Sequence, residues 1–105
     1  MSAAQRIHQL FIESAQTKMA AAEVMAEPIA EAAERIVHCL LREGKILACG
    51  NGGATADAQR FSARMVHRFE RDRPGLSAIA LTADSAILTA IANDHDYAQV
   101  FSRQI

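Results

Sequence analysis

Apolar residues fall on one helical face along the first third of the chain: Ile7, Leu10, Phe11, Ala15, Ala22 and Met25, with Gln, Glu and Lys between them. This is the stripe of an amphipathic helix. Proline is accepted in a first helical turn but not in a helix interior, so Pro28 predicts a restart. Ile29, Ala33, Ile36, Val37, Leu40 and Leu41 then form the stripe of a second helix. Gly44 stands where that helix is expected to hand over through a left-handed residue.

The period changes at Lys45. Ile46-Leu47-Ala48-Cys49 is a short apolar run between Gly44 and Gly50, the pattern of a buried strand. A glycine-rich turn, Gly50-Asn51-Gly52-Gly53, leads into Ala54–Arg68, where Ala58, Phe61 and Met65 restore helical spacing. Strand, glycine turn and helix in this order make an α/β unit. Glu70–Gly75 is a charged loop, Ser77–Thr82 a second buried strand, and Asp84 or Ser85 the cap of a helix through Ile87, Leu88 and Ile91. Asn93-Asp94 is expected to break that helix. A last helix is expected to start at Asp96 and to be still running at Ile105, which suggests a chain that stops inside a longer domain.

Eleven Lys and Arg stand against twelve Asp and Glu, a balance that argues against direct nucleic-acid coating. Half the residues are hydrophobic, which excludes a disordered tail, and 5% are aromatic, so the core rests on aliphatic side chains. Arg6, His8, Glu13 and Lys18 interrupt any export signal, and no stretch reads as a membrane span. Cys39 and Cys49 fit two reduced, semi-buried thiols of a cytosolic protein.

Glycines at the end of a strand let a ligand approach backbone N–H groups, and the next helix aims its free N–H groups and partial positive charge at the same space. The loop is neither familiar nucleotide motif. Ala54-Thr55 follow Gly53 where a Walker loop has Lys, and Ala56 stands where a dinucleotide fingerprint has its third glycine. Two readings of this loop stay open, an anion cradle and a merely tight turn.

Taken together, Cys49-Gly50-Asn51-Gly52-Gly53, Asp57-Ala58-Gln59, Phe61, Arg73-Pro74-Gly75, Ala78-Ile79-Ala80, Ile91-Ala92-Asn93-Asp94 and Phe101-Ser102 resemble the phosphoheptose isomerase group of SIS (sugar isomerase) domains. Within that group the chain resembles the branch of the DnaA-initiator-associating proteins, which keeps the loop and also lacks the full metal set. The resemblance implies an α/β three-layer sandwich with a mostly parallel sheet, flanked by N-terminal helices. Residues 1–43 would be the helical segment and 44–105 the first half of the SIS domain. It also implies a cytoplasmic homotetramer, and phosphosugar contacts from Asn51, Gly52, Gly53, Asn93 and Asp94.

The isomerases carry Ser where this chain has Ala54. In the next helix they carry a metal-binding His and, one turn on, a metal-binding Glu, where this chain has Arg60 and Arg64. Residues four apart share a helix face, so His and Glu there can reach one ion. A guanidinium has no acceptor and stays charged, so no zinc or other metal cofactor is expected on this face. Arg60 and Arg64 are candidate phosphate clamps, or part of a solvated stripe with Arg68 that pairs with Asp57. His38 and His67 have no second ligand at helical spacing.

Three functions follow as alternatives. The first is a non-catalytic phosphosugar-binding module that acts by assembly and controls replication through an initiator protein. The second is sedoheptulose-7-phosphate isomerase of lipopolysaccharide heptose synthesis. Isomerisation needs a base and an electrophile for the enediolate, and no residue of this chain supplies the base. The third is an inactive fragment with an exposed sheet edge.

Overall fold

The computed structural model describes residues 1–105. In chain order it contains helix α1 (Ala3–Leu41), strand β1 (Ile46–Ala48), helix α2 (Gly53–Val66), strand β2 (Ala78–Ala80) and helix α3 (Ser85–Asp94). Two short 3-10 turns, Tyr97–Gln99 and Ser102–Gln104, follow. Residues 1–37 and 38–105 form two compact units.

The N-terminal segment is one helix, not the expected two, and Pro28 lies inside it. Proline deprives the Val24 carbonyl of its N–H partner, yet nothing else at that point favours a break. Ala26, Glu27 and Ala30 are strong helix formers, and the Met25–Ile29 step keeps the apolar stripe in phase. The helix opens with a capping box. The Ser2 hydroxyl accepts from the Gln5 N–H at 3.1 Å, and the Gln5 side-chain carbonyl accepts from the Ser2 N–H at 2.7 Å. Ile7, Phe11, Met19, Val24 and Ile29 are exposed along it.

The left-handed residue after α1 is Glu43, with φ of 63°, rather than Gly44. Gly44 answers a different need: a Cβ there would lie 2.6 Å from Cys39 Sγ. Cys39 is half-buried, whereas Cys49 is exposed, and both are free thiols.

In the second unit, β1 and β2 pair in parallel, with Ile46 opposite Ala78, Leu47 opposite Ile79 and Ala48 opposite Ala80. Backbone bonds from Ile46 to Ser77 and from Leu81 to Ala48, each 2.9 Å, extend the ladder. The strands are shorter than the apolar runs: the paired residues end at Ala48 and Ala80. Helix α2 packs across both strands. Ala58 and Ser62 of α2 are buried, as are Leu81 and Thr82 beyond β2 and Val100 near the C-terminus.

The carboxylate of Asp84 caps α3 by accepting from the Ile87 N–H at 3.1 Å. This helix runs through Asn93 and Asp94, which form its last turn rather than breaking it. The helix expected from Asp96 to Ile105 is instead the pair of 3-10 turns. The Asp96 carboxylate accepts from the Ala98 N–H at 3.2 Å and holds the first turn tight. Gln104 then donates from Nε2 to the carbonyls of Leu81 (2.9 Å) and Val100 (2.8 Å), which ties the segment back to the end of β2.

Candidate functional site

The glycine loop is built at the C-terminal end of β1. Asn51–Ala54 is a tight turn closed by a bond from the Ala54 N–H to the Asn51 carbonyl at 3.0 Å. Gly52, the first central residue, has φ 57° and ψ −127°. That pair defines the first central position of a type II′ turn, a conformation kept for glycine. Gly50 is required for a different reason. A Cβ on it would fall 2.6 Å from the Ala54 carbonyl oxygen and 2.7 Å from its Cβ, so the start of α2 lies directly against it. The Thr55 hydroxyl donates to the Gly50 carbonyl at 3.0 Å and fixes the two sides of the loop.

Gly53 is the first residue of α2, and around the Cβ positions of both Gly52 and Gly53 there is open space. No side chain plugs the turn. The N–H groups of Ala54 and Thr55 are spent on the carbonyls of Asn51 and Gly52, whereas those of Gly52 and Gly53 have no acceptor in the chain. Two free N–H groups at the start of a 14-residue helix suit an anionic oxygen.

Asn51 is exposed, and its side-chain carbonyl accepts a bond from the Tyr97 hydroxyl at 2.7 Å. Tyr97 carried no signal in the sequence. It lies 46 residues away, in a segment whose helical spacing hid the turn that brings it to the loop.

Asn93 and Asp94 are exposed at the end of α3, where Asn93 Nδ2 donates to the Asp94 carboxylate at 3.4 Å. They border a shallow open groove with Ala86, Thr89, Ala90 and Ala92, and the glycine loop is not part of its wall. The two groups of candidate residues therefore do not share one concavity within these 105 residues. The connection between them is Tyr97, three residues beyond Asp94.

Arg60 and Arg64 stand one turn apart on α2. Arg60 Nη2 pairs with Asp57 Oδ1, both side chains largely exposed. The Arg64 guanidinium lies over the Phe69 ring, 5.3 Å from its centre. Neither group has a lone pair to offer a cation, and both carry positive charge, so a divalent metal does not fit this pair.

A model of the SIS domain family matches residues 10–105. The chain belongs to the SIS-domain family. Its fold is the α/β fold of two solved SIS structures. It superposes on phosphoheptose isomerase from Neisseria gonorrhoeae with a TM-score of 0.89 at 45% identity, covering 98% of this chain and 53% of that one. For the Francisella tularensis phosphoheptose isomerase the TM-score is 0.92 at 40% identity, covering 99% and 55%. Among curated relatives, the phosphoheptose isomerase of Azoarcus sp. is 58% identical over 100 residues, which cover 95% of this SIS chain and 51% of that protein. The Laribacter hongkongensis enzyme is 54% identical over the full 105 residues, 54% of its length. The chain thus spans about half the length of the relatives it matches. No helix in it is long and apolar enough to cross a membrane.

Proposed function

We propose that this SIS chain supplies the phosphate-binding loop of a cytoplasmic protein that binds a phosphorylated sugar of the sedoheptulose 7-phosphate kind. The observation that carries the reading is the type II′ turn at Gly52, which leaves two N–H groups without acceptors beside the Asn51 amide. Gly52 and Gly53 would take phosphate oxygens, and Asn51 a phosphate or hydroxyl oxygen. Asn93 and Asp94 would face sugar hydroxyls, the carboxylate accepting from them. Arg60 and Arg64 would add positive potential from one side of α2.

For the whole protein, the relatives favour aldose–ketose isomerisation of a phosphoheptose over a role in replication control. Such a reaction moves a proton between adjacent carbons and needs a base. The residues of this chain bind and orient the sugar phosphate; the acid–base step falls to groups outside them.

A second reading rests on Arg60 and Arg64. With guanidiniums where the isomerases carry ligands, the protein would hold the sugar without converting it and act by assembly as a homotetramer, on the model of the DnaA-initiator-associating branch. Several weak sites in one assembly gain strength through effective concentration.

One experiment on the intact protein separates the two. Binding is read by calorimetric titration with sedoheptulose 7-phosphate after chelator treatment, and conversion is followed by NMR on a separate, untreated sample supplied with zinc. Binding with conversion supports the isomerase, and binding without conversion the assembly protein. Absence of heat at millimolar ligand overturns the phosphosugar reading itself.

A further inference from the structure

We propose that Tyr97 is a positioning residue that sets which end of the Asn51 amide meets the ligand. This proposal rests on the phosphosugar reading above and deepens it. An exposed Asn side chain is two-ended, with an oxygen that accepts and an NH2 group that donates. Left free, it would rotate and present either end. The Tyr97 hydroxyl donates to the Asn51 side-chain oxygen at 2.7 Å, and Asn51 Nδ2 has no acceptor in the chain. The accepting end is thereby occupied and both N–H bonds remain for a ligand. Together with the free N–H groups of Gly52 and Gly53, this makes a set composed only of donors. Such a set selects oxygens that accept without donating, those of a phosphate ester dianion, over neutral hydroxyls.

The tether is itself held in place. Tyr97 opens a 3-10 turn fixed by the Asp96 carboxylate on the Ala98 N–H and by the Val100 N–H on the Tyr97 carbonyl at 3.1 Å. Val100, at 2% exposure, anchors that turn in the core. The Tyr97 residue is 60% exposed, so burial does not immobilise its ring; the hydroxyl bond does. Tyr97→Phe keeps the ring and removes only the donor.

The test uses the intact protein labelled with nitrogen-15. In the ligand-free state, Tyr97→Phe is expected to move the two Asn51 side-chain amide resonances toward free-Asn positions and to leave the melting temperature unchanged. With sedoheptulose 7-phosphate, Tyr97→Phe should weaken binding about 3–10-fold, the loss of one hydrogen bond's orienting effect. Asn51→Ala combined with Tyr97→Phe should bind no more weakly than Asn51→Ala alone, because Tyr97 acts only through Asn51. Unmoved Asn51 resonances, or losses that simply add, overturn the proposal. A wild type that binds no sugar phosphate overturns the phosphosugar reading, and the Asn51 resonances still decide the tether.

Discussion

Alanine placed in turn at Gly50, Gly52 and Gly53 separates three roles that neighbouring glycines play in one loop. At Gly52 the added methyl meets nothing within 4 Å, so only the backbone objects. Its φ of 57° with ψ of −127° is strained for an L-residue, which costs about 1–3 kcal/mol. At Gly50 the backbone has no such demand, but the methyl would overlap the Ala54 carbonyl at 2.6 Å and displace the first turn of α2, again a loss of about 1–3 kcal/mol. At Gly53 neither obstacle exists, and as the first residue of α2 it gains at most roughly 1 kcal/mol, the helix-interior value, on going from Gly to Ala. Gly52→Ala and Gly53→Ala should therefore differ by about 1–4 kcal/mol although they are adjacent. Thermal unfolding of the intact protein at fixed concentration reads this out, since 1 kcal/mol moves Tm by about 2–4 °C at 150–250 residues. Binding should rank the variants differently. Gly53→Ala stays folded but puts a methyl into the space a phosphate would use, and should lose about tenfold in affinity for sedoheptulose 7-phosphate, ~1.4 kcal/mol. Equal melting temperatures for Gly52→Ala and Gly53→Ala would refute the backbone reasoning. An unchanged affinity in Gly53→Ala would refute the ligand placement.

Arg73 donates to the carbonyls of Met65 (3.0 Å), Arg64 (2.8 Å) and Pro74 (3.1 Å), closing the C-terminal end of α2. Arg73→Ala should cost about 1–3 kcal/mol in urea unfolding, and Arg73→Lys should restore only part of it, because an ammonium cannot span carbonyls from two arms. Asp84→Ala removes the cap of α3 and should cost about 0.5–2 kcal/mol, whereas Asp84→Asn should stay close to wild type in the same assay. Arg60→His with Arg64→Glu in the intact protein should raise retained zinc, measured by elemental analysis after dialysis, because it places two ligands on one helix face. Metal content equal to that of the parent would count against that placement.

The strand–glycine turn–helix order was legible because each part has its own local signature: an apolar run without helical period, a cluster of glycines of which Gly50 and Gly52 are forced, then Ala58, Phe61 and Met65 in phase. The Asp84 cap was legible for the same reason. What was not legible depended on partners far along the chain. The spacing of Val100 and Phe101 imitates a helix, yet bonds from Gln104 back to Leu81 and the Asp96 turn select tight 3-10 turns instead. Tyr97 gives no local signal for the same reason, since its meaning lies in a hydroxyl meeting Asn51. Pro28 signals a stop by a strong local rule, but the helix formers Ala and Glu on both sides override it. At Gly44 the sequence pointed to a backbone requirement, whereas the constraint is the sulfur of Cys39.

Pro28 retains a consequence inside the uninterrupted helix. Having no exchangeable amide, it is silent in deuterium labelling, and the orphaned Val24 carbonyl opposite it is free to take a water molecule. Helices ordinarily fray from their tips; the missing bond at Pro28 predicts a second weak point in the interior, where deuterium uptake should run ahead of the turns on either side. The residue that fails to divide the helix in space is expected to divide it in local stability.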